Sequence, residues 1–209
     1  FFAASAPEST GESAGPSAGL PAGGTIYMLT GSEQIDQVDP QRAYTGEDLA
    51  FFSATIYRSL TAYTYSANDV EASQLVGDLA TDTGTPSDGA RTWTFTLRDG
   101  VSWQDGSELT CEDVKYGVSR AFATSIVNQG PTYSIVYLDI PTDADGASSY
   151  KGPYPVGSPA RVIGQDLYDK AVVCDGRTIT FHLNRPIADF NYTVTVGFAP
   201  VRRSDDTGE

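Results

Sequence analysis

Lysine is nearly missing from this 209-residue chain: Lys115, Lys151 and Lys170 are the only ones. With arginine they make 13 basic residues against 27 acidic ones, a formal charge of −14. That balance argues against a nucleic-acid partner, because phosphates are held by Lys and Arg. It argues equally against docking on an anionic membrane surface. Histidine is as scarce. His182 stands alone in a strand pattern and no CxxC is present, so a zinc or iron site lacks ligands. A Ser–His–Asp or Cys–His centre would have to use that same histidine, and no serine stands in a G-x-S-x-G elbow. Phosphate loops and dinucleotide fingerprints are absent as well. No apolar run reaches bilayer-spanning length, and no basic-then-apolar signal segment opens the chain.

Cysteine is limited to Cys111 and Cys174. In a chain of secreted character one such pair suggests a disulfide, closing a loop worth at most roughly 4 kcal/mol. The alternative is two buried free thiols. Carboxylates are plentiful, so a secreted hydrolase with a carboxylate pair is the enzyme alternative, although nothing in the pattern singles out two of them. Asp143-Ala144-Asp145-Gly146 resembles the start of a calcium loop, but Tyr154 occupies the twelfth position where an EF-hand needs Glu. A solvated turn is expected there, and neither a metal nor another cofactor is expected anywhere.

What is present is ordinary globular material, 40% hydrophobic and 19% charged. Residues 1–24 are dominated by Ala, Ser, Gly, Pro and Glu, too little apolar surface to offset the entropy of ordering. They are expected to form a tether between a membrane lipid anchor, itself not in this sequence, and a folded body. Thr25-Ile26-Tyr27-Met28-Leu29 reads as a buried strand. From Glu47 the apolar positions Leu49, Phe52, Ile56, Tyr57 and Leu60 recur at helical spacing, with Glu47-Asp48 favourably placed at the start. Trp93, Phe95 and Leu97 alternate with threonines, as in a half-buried strand. Thr110 and Asp113 form a capping box for a helix with the stripe Val114, Val118, Ala121 and Phe122. Ile179, Phe181 and Leu183 repeat the earlier strand pattern, which two neighbouring strands of one sheet explain more simply than gene duplication. Together these predict an α/β fold in which a mixed sheet packs against helices. The 12 tyrosines and 9 phenylalanines cluster at Tyr57, Tyr63 and Tyr65 and at Tyr133 and Tyr137. A tyrosine combines an apolar face with a hydroxyl, which suits ligand pockets, though most such residues serve a core.

Four blocks then occur in a fixed order. The first is Gln37-Val38-Asp39-Pro40 before a helix ending Ile56-Tyr57-Arg58-Ser59-Leu60, with Leu75-Val76-Gly77-Asp78-Leu79-Ala80 after it. The second is Trp93-Thr94-Phe95-Thr96-Leu97-Arg98-Asp99-Gly100-Val101-Ser102-Trp103-Gln104-Asp105-Gly106. Leu109-Thr110-Cys111-Glu112-Asp113-Val114 is the third. The last is Phe181-His182-Leu183-Asn184-Arg185-Pro186 with Phe198-Ala199-Pro200-Val201. In this order they resemble the extracytoplasmic solute-binding proteins of family 5, the peptide- and nickel-binding components of ABC importers.

The resemblance implies a periplasmic-binding-protein-like fold of type II, two lobes closing on a ligand, of which this chain carries part of lobe one. It places residues 25–62 in the N-terminal part of lobe one, 63–195 in an extra subdomain and 196–209 in a return segment, the remainder lying beyond Glu209. It implies no catalysis, a peptide or other small solute as ligand, ABC permease subunits as partners, and a monomeric, extracytoplasmic protein. The segment after the Asp-Pro turn, Tyr44-Thr45-Gly46, would offer main-chain hydrogen bonds to the ligand, and Tyr133 would reach it from the loop after the capped helix. Cys111 departs from the commoner alanine at that helix start, and its pairing with Cys174 would staple the subdomain. The same fold could instead bind a nickel chelate, a sugar or an antibiotic, or serve a peptide-sensing receptor module at the cell surface.

Overall fold

The computed structural model describes residues 24, 25, 27, 35, 37–157 and 162–208. The expected tether, but for Gly24, falls outside these residues, and of the strand expected at Thr25–Leu29 only Thr25 and Tyr27 are among them. The chain divides into two units, Phe1–Gly31 and Ser32–Glu209. Of the first, only Gly24, Thr25 and Tyr27 are described, none in a helix or strand. All that follows concerns the second.

In chain order, helix α1 (Gly46–Thr55) leads to a two-stranded sheet, β1 (Thr61–Tyr63) and β2 (Leu75–Gly77), with the single-turn helix α2 (Asp69–Ala72) between them. Next come β3 (Thr85–Ser87) and β4 (Thr92–Thr96), then helices α3 (Cys111–Arg120), α4 (Tyr133–Tyr137) and α5 (Gln165–Ala171). Strands β5 (Val172–Asp175) and β6 (Thr178–His182) and helix α6 (Phe190–Thr193) complete the fold. The main sheet has the order β3-β4-β6-β5. The α/β combination of sheet and helices is as expected. Every described strand pair is antiparallel, so the mixture of directions expected of the sheet does not occur among these strands.

Alternation fixes which face of the sheet is inside. Trp93 lies opposite Phe181 and Phe95 opposite Ile179 in the β4–β6 register, and all four are buried. Thr94 faces Thr180 on the other side, their hydroxyls 3.3 Å apart. The two echoing segments are therefore adjacent strands of one sheet. Phe181 lies edge-on to Phe95, Phe190 and Phe198, with centroids 5.5–6.0 Å apart. Such buried rings each contribute about 1.5–3 kcal/mol by leaving water. Val114, Val118 and Phe122 of the α3 stripe join the same core.

The start of α3 is held twice. Thr110 Oγ1 accepts from the Asp113 amide while Asp113 Oδ2 accepts from the Thr110 amide, a complete capping box. One residue on, Cys111 is bonded to Cys174 of β5, the Cα atoms 5.9 Å apart, which ties the helix to the sheet edge.

Helix α1 is shorter than its apolar spacing suggested. It ends at Thr55, and the amides of Ile56 and Tyr57 both converge on the Phe52 carbonyl. Beyond it the backbone is claimed by another partner: Ser59 and Leu60 accept hydrogen bonds from Asp78, Leu79 and Ala80. Leu60 is thus buried outside the helix, just before β1, and Ile56 is left 61% exposed.

Candidate functional site

The two separate segments singled out in the sequence meet in space. The hydroxyls of Tyr44 and Tyr133 share a hydrogen bond of 2.8 Å across 89 positions of sequence, and their rings stand edge to face with centroids 6.3 Å apart. Tyr133 opens α4 and stacks on Tyr137 one turn later, and the Arg185 guanidinium lies 5.1 Å above the Tyr137 ring. The Tyr44 bond, with a smaller contribution from burial, raises the Tyr133 hydroxyl above the ordinary tyrosine value. Two hydroxyls carry two protons, and only one is used inside the pair. The pair therefore presents one O–H donor, and spare lone pairs, to whatever lies beside it.

Thr45 and Gly46 continue the same surface. Thr45 is the N-cap of α1 in extended conformation, its side chain makes no cap bond, and Gly46 has open space on its Cβ side. Tyr44, Thr45 and Gly46 are all exposed. An exposed, extended backbone running into a helix start suits main-chain pairing with an extended ligand, which gives affinity without reading side chains.

The other tyrosine cluster lies elsewhere. Tyr57, Tyr63 and Tyr65 line an open cleft of about 400 Å³ between the end of α1 and the small sheet. The Tyr57 ring stacks on Phe52 at 4.8 Å. Burial first, then the nearby carboxylates of Asp39 and Asp48, push its hydroxyl up to about 12. Tyr57 was read from sequence as an apolar helix position and as one of a tyrosine cluster, and the cleft itself was not foreseen.

The lone histidine and the calcium-like turn have the following partners. His182 lies within β6 with Nδ1 3.3 Å from the Thr92 hydroxyl. Asp143 accepts from the amides of Asp145 and Ala147 and pairs with Lys151 at 2.7 Å, so its turn is satisfied internally. Among the described residues no group of three or more His, Cys, Asp or Glu is placed to hold a metal, and no helix is long and apolar enough to cross a membrane.

Sequence reasoning missed the residue with the most polar connections near the site. Arg120, the last residue of α3, is buried, with its side chain 6% exposed. Its Nη1 and Nη2 donate to the two oxygens of Asp39 at 2.8 and 2.6 Å, Nη1 also to Gln41 Oε1, and Nε to Asp206 at 2.8 Å. Burial alone would lower the guanidinium, but its bonds and charge pairing with Asp39 outweigh that and raise it. Asp206 is resisted by burial too. It is held below its usual range by hydrogen bonds from Gly208, Tyr154 and Tyr116 and by the charge of Arg120. One signal was available: an arginine directly before Ala121-Phe122 of the apolar stripe. Its partners, 81 and 86 positions away, were not legible.

Comparison with known proteins places this geometry. The model of bacterial extracellular solute-binding proteins, family 5 Middle, matches residues 74–209. No curated protein matches the chain in sequence. Among solved structures, clavulanic acid biosynthesis oligopeptide binding protein 2 is 33% identical, with a TM-score of 0.67 over 83% of this chain and 29% of its own. The murein tripeptide binding protein MppA of Escherichia coli is 21% identical (TM-score 0.58, 80% of this chain, 29% of its own) and shares the fold. OppA of Burkholderia pseudomallei is 17% identical (TM-score 0.60, 81% of this chain, 29% of its own) and shares it likewise. The chain therefore spans less than a third of the length of these structures. Since the family model covers well over half of the chain, and the fold agrees with it, the chain belongs to the bacterial extracellular solute-binding proteins of family 5.

Proposed function

We propose that this chain is the front portion of a non-catalytic solute-binding component of an ABC importer, which captures peptides outside the cytoplasm by closure of two lobes. The observation that carries this reading is the Tyr44–Tyr133 hydroxyl pair beside the exposed backbone of Thr45 and Gly46. It forms one polar, aromatic edge with hydrogen-bonding capacity directed outward. The 33%-identical relative is by its own description an oligopeptide-binding protein, which favours a peptide over a metal chelate or sugar. Residues 25–62 serve as the first part of lobe one, 63–195 as its extra subdomain and 196–209 as a return segment. Residues 1–24 act as a tether to a lipid anchor, and permease subunits are the partners in the membrane. Ligand that bridges two lobes favours the closed state, so affinity depends on contacts made in that state by both.

A thermal-shift screen with a mixed di- to hexapeptide library, run on the 209-residue chain and on one carrying the full length of its relatives, tests this. Stabilisation of the longer chain alone is expected, because one lobe supplies only part of the differential contacts. If neither chain responds to any peptide, the peptide reading fails. Sub-micromolar binding by the 209-residue chain would overturn the two-lobe mechanism.

A further inference from the structure

The two halves of the candidate site come from segments 89 positions apart, and two tyrosine hydroxyls on the surface cannot by themselves hold those segments in register. Gln41 lies where both segments are fastened. It is fully buried, three residues before Tyr44. Its side chain accepts from Arg120 Nη1 at 2.6 Å and donates to the Ala199 carbonyl at 2.9 Å, while its amide donates to Asp39 Oδ1 at 3.0 Å. The turn is closed by the amides of Arg42 and Ala43, both bonded to the Asp39 carbonyl. The opposite half arrives through Gly130. A Cβ at that position would overlap the Gln41 carbonyl, so the bare backbone of residue 130 rests directly on the backbone of residue 41. Three residues later the chain reaches Tyr133.

We propose that Arg120 and Gly130 are positioning residues of the ligand site: both bear on Gln41, and through it they set where Tyr44 meets Tyr133. This rests on the reading that Tyr44–Gly46 and Tyr133 face the ligand. The bidentate grip of Arg120 on Asp39 fixes the direction of the turn as well as its distance, which a lysine, a point charge on a flexible stem, cannot do. Gly130 fixes the spacing of the two backbones. A site needs its groups held to within about half an ångström to act together, and this buried contact supplies that constraint from behind.

The test uses the Tyr133 hydroxyl as reporter, titrated by NMR of ¹³Cζ-labelled tyrosine and assigned through Tyr133→Phe. Tyr44→Phe removes the partner and gives the reference, a Tyr133 midpoint that falls towards the ordinary tyrosine value. Gly130→Ala and Arg120→Lys are expected to move the midpoint in that same direction while melting stays cooperative. If Arg120→Lys fails to fold, Gly130→Ala decides, since it alters no charge. If both fail, Gln41→Met decides, since it keeps the side-chain length and removes its polar bonds. Variants that lose stability yet leave the Tyr133 midpoint unmoved would show a merely structural role and overturn the proposal, as would a wild-type midpoint at the ordinary value. In the longer chain, tri-alanine affinity is expected to fall about tenfold in Gly130→Ala, the effect of one ordinary hydrogen bond to the ligand. Wild-type protein that binds no tri-alanine would count against the peptide reading alone, because the titration needs no ligand.

Discussion

The sheet core and the seam beneath Tyr44 and Tyr133 hold the same unit together by different physics. Around β4 and β6 the contacts are apolar and redundant: Phe181 touches three other rings, and each of those touches a further one. At the seam one guanidinium serves Asp39, Gln41, Tyr154 and Asp206 at once. Apolar burial scales with area and tolerates small shifts, whereas hydrogen bonds to a buried charge depend on direction and leave costly orphans when broken. The core thus supplies bulk stability, and the seam supplies geometry.

The largest expected effect tests the core. Phe181→Ala should lower stability by about 3–5 kcal/mol, measured by urea unfolding, with the loss spread over the whole transition. A loss below about 1 kcal/mol would mean that the ring cluster is less central than its packing indicates. Reducing the Cys111–Cys174 bond, whose partners are 63 residues apart, should cost up to roughly 4 kcal/mol in a loop-entropy account. The effect should appear in the melting temperature and leave the Tyr133 titration unchanged, since the staple holds the first residue of α3 while the seam is fastened at its last, Arg120.

Acid should separate the two regions further. The Asp206 carboxyl is held below its ordinary value, so its contribution is present above that value and is lost as pH falls through the depressed one. Urea midpoints should therefore drop as the pH is lowered below about 4, and the drop should be shallower in Asp206→Asn. An identical pH profile in the two proteins would remove Asp206 from the account. The smallest effect concerns a helix end: Thr110→Ala loses the cap of α3 and should cost about 1 kcal/mol, without moving either the acid profile or the Tyr133 midpoint.

Much of the core was legible because its signals are local. Trp93, Phe95 and Leu97 alternate with threonines, and so do Ile179, Phe181 and Leu183, so the inward face could be assigned before any partner was known. The cap at Thr110 and Asp113 is equally local, three residues from end to end. The end of α1 was misjudged because Ile56, Tyr57 and Leu60 keep a helical spacing while the backbone of Ser59 and Leu60 is recruited by residues 78–80. Spacing reports which residues are apolar. It does not report which distant strand will compete for their carbonyls.

For the candidate site, Tyr44, Thr45, Gly46 and Tyr133 could be named only through the resemblance to a family, and the structure adds that two of them touch. Arg120 stayed hidden because a buried charge has no periodicity, and only its partners explain its place.

By itself the sequence determined the acidic character, the two patterned strands, the capped helix and the cysteines available to staple them, all of which follow from composition or from neighbours a few residues apart. Tertiary structure alone decided that every described strand pair is antiparallel, that α1 stops at Thr55, and that Asp39, Gln41, Arg120, Gly130 and Asp206 converge behind the two tyrosines. The end of α1 and the convergence behind the tyrosines depend on contacts between residues about 20 to about 90 positions apart, where the cost of closing a loop grows only slowly with its length. Sequence distance therefore constrains such partners weakly, and the packed fold selects them.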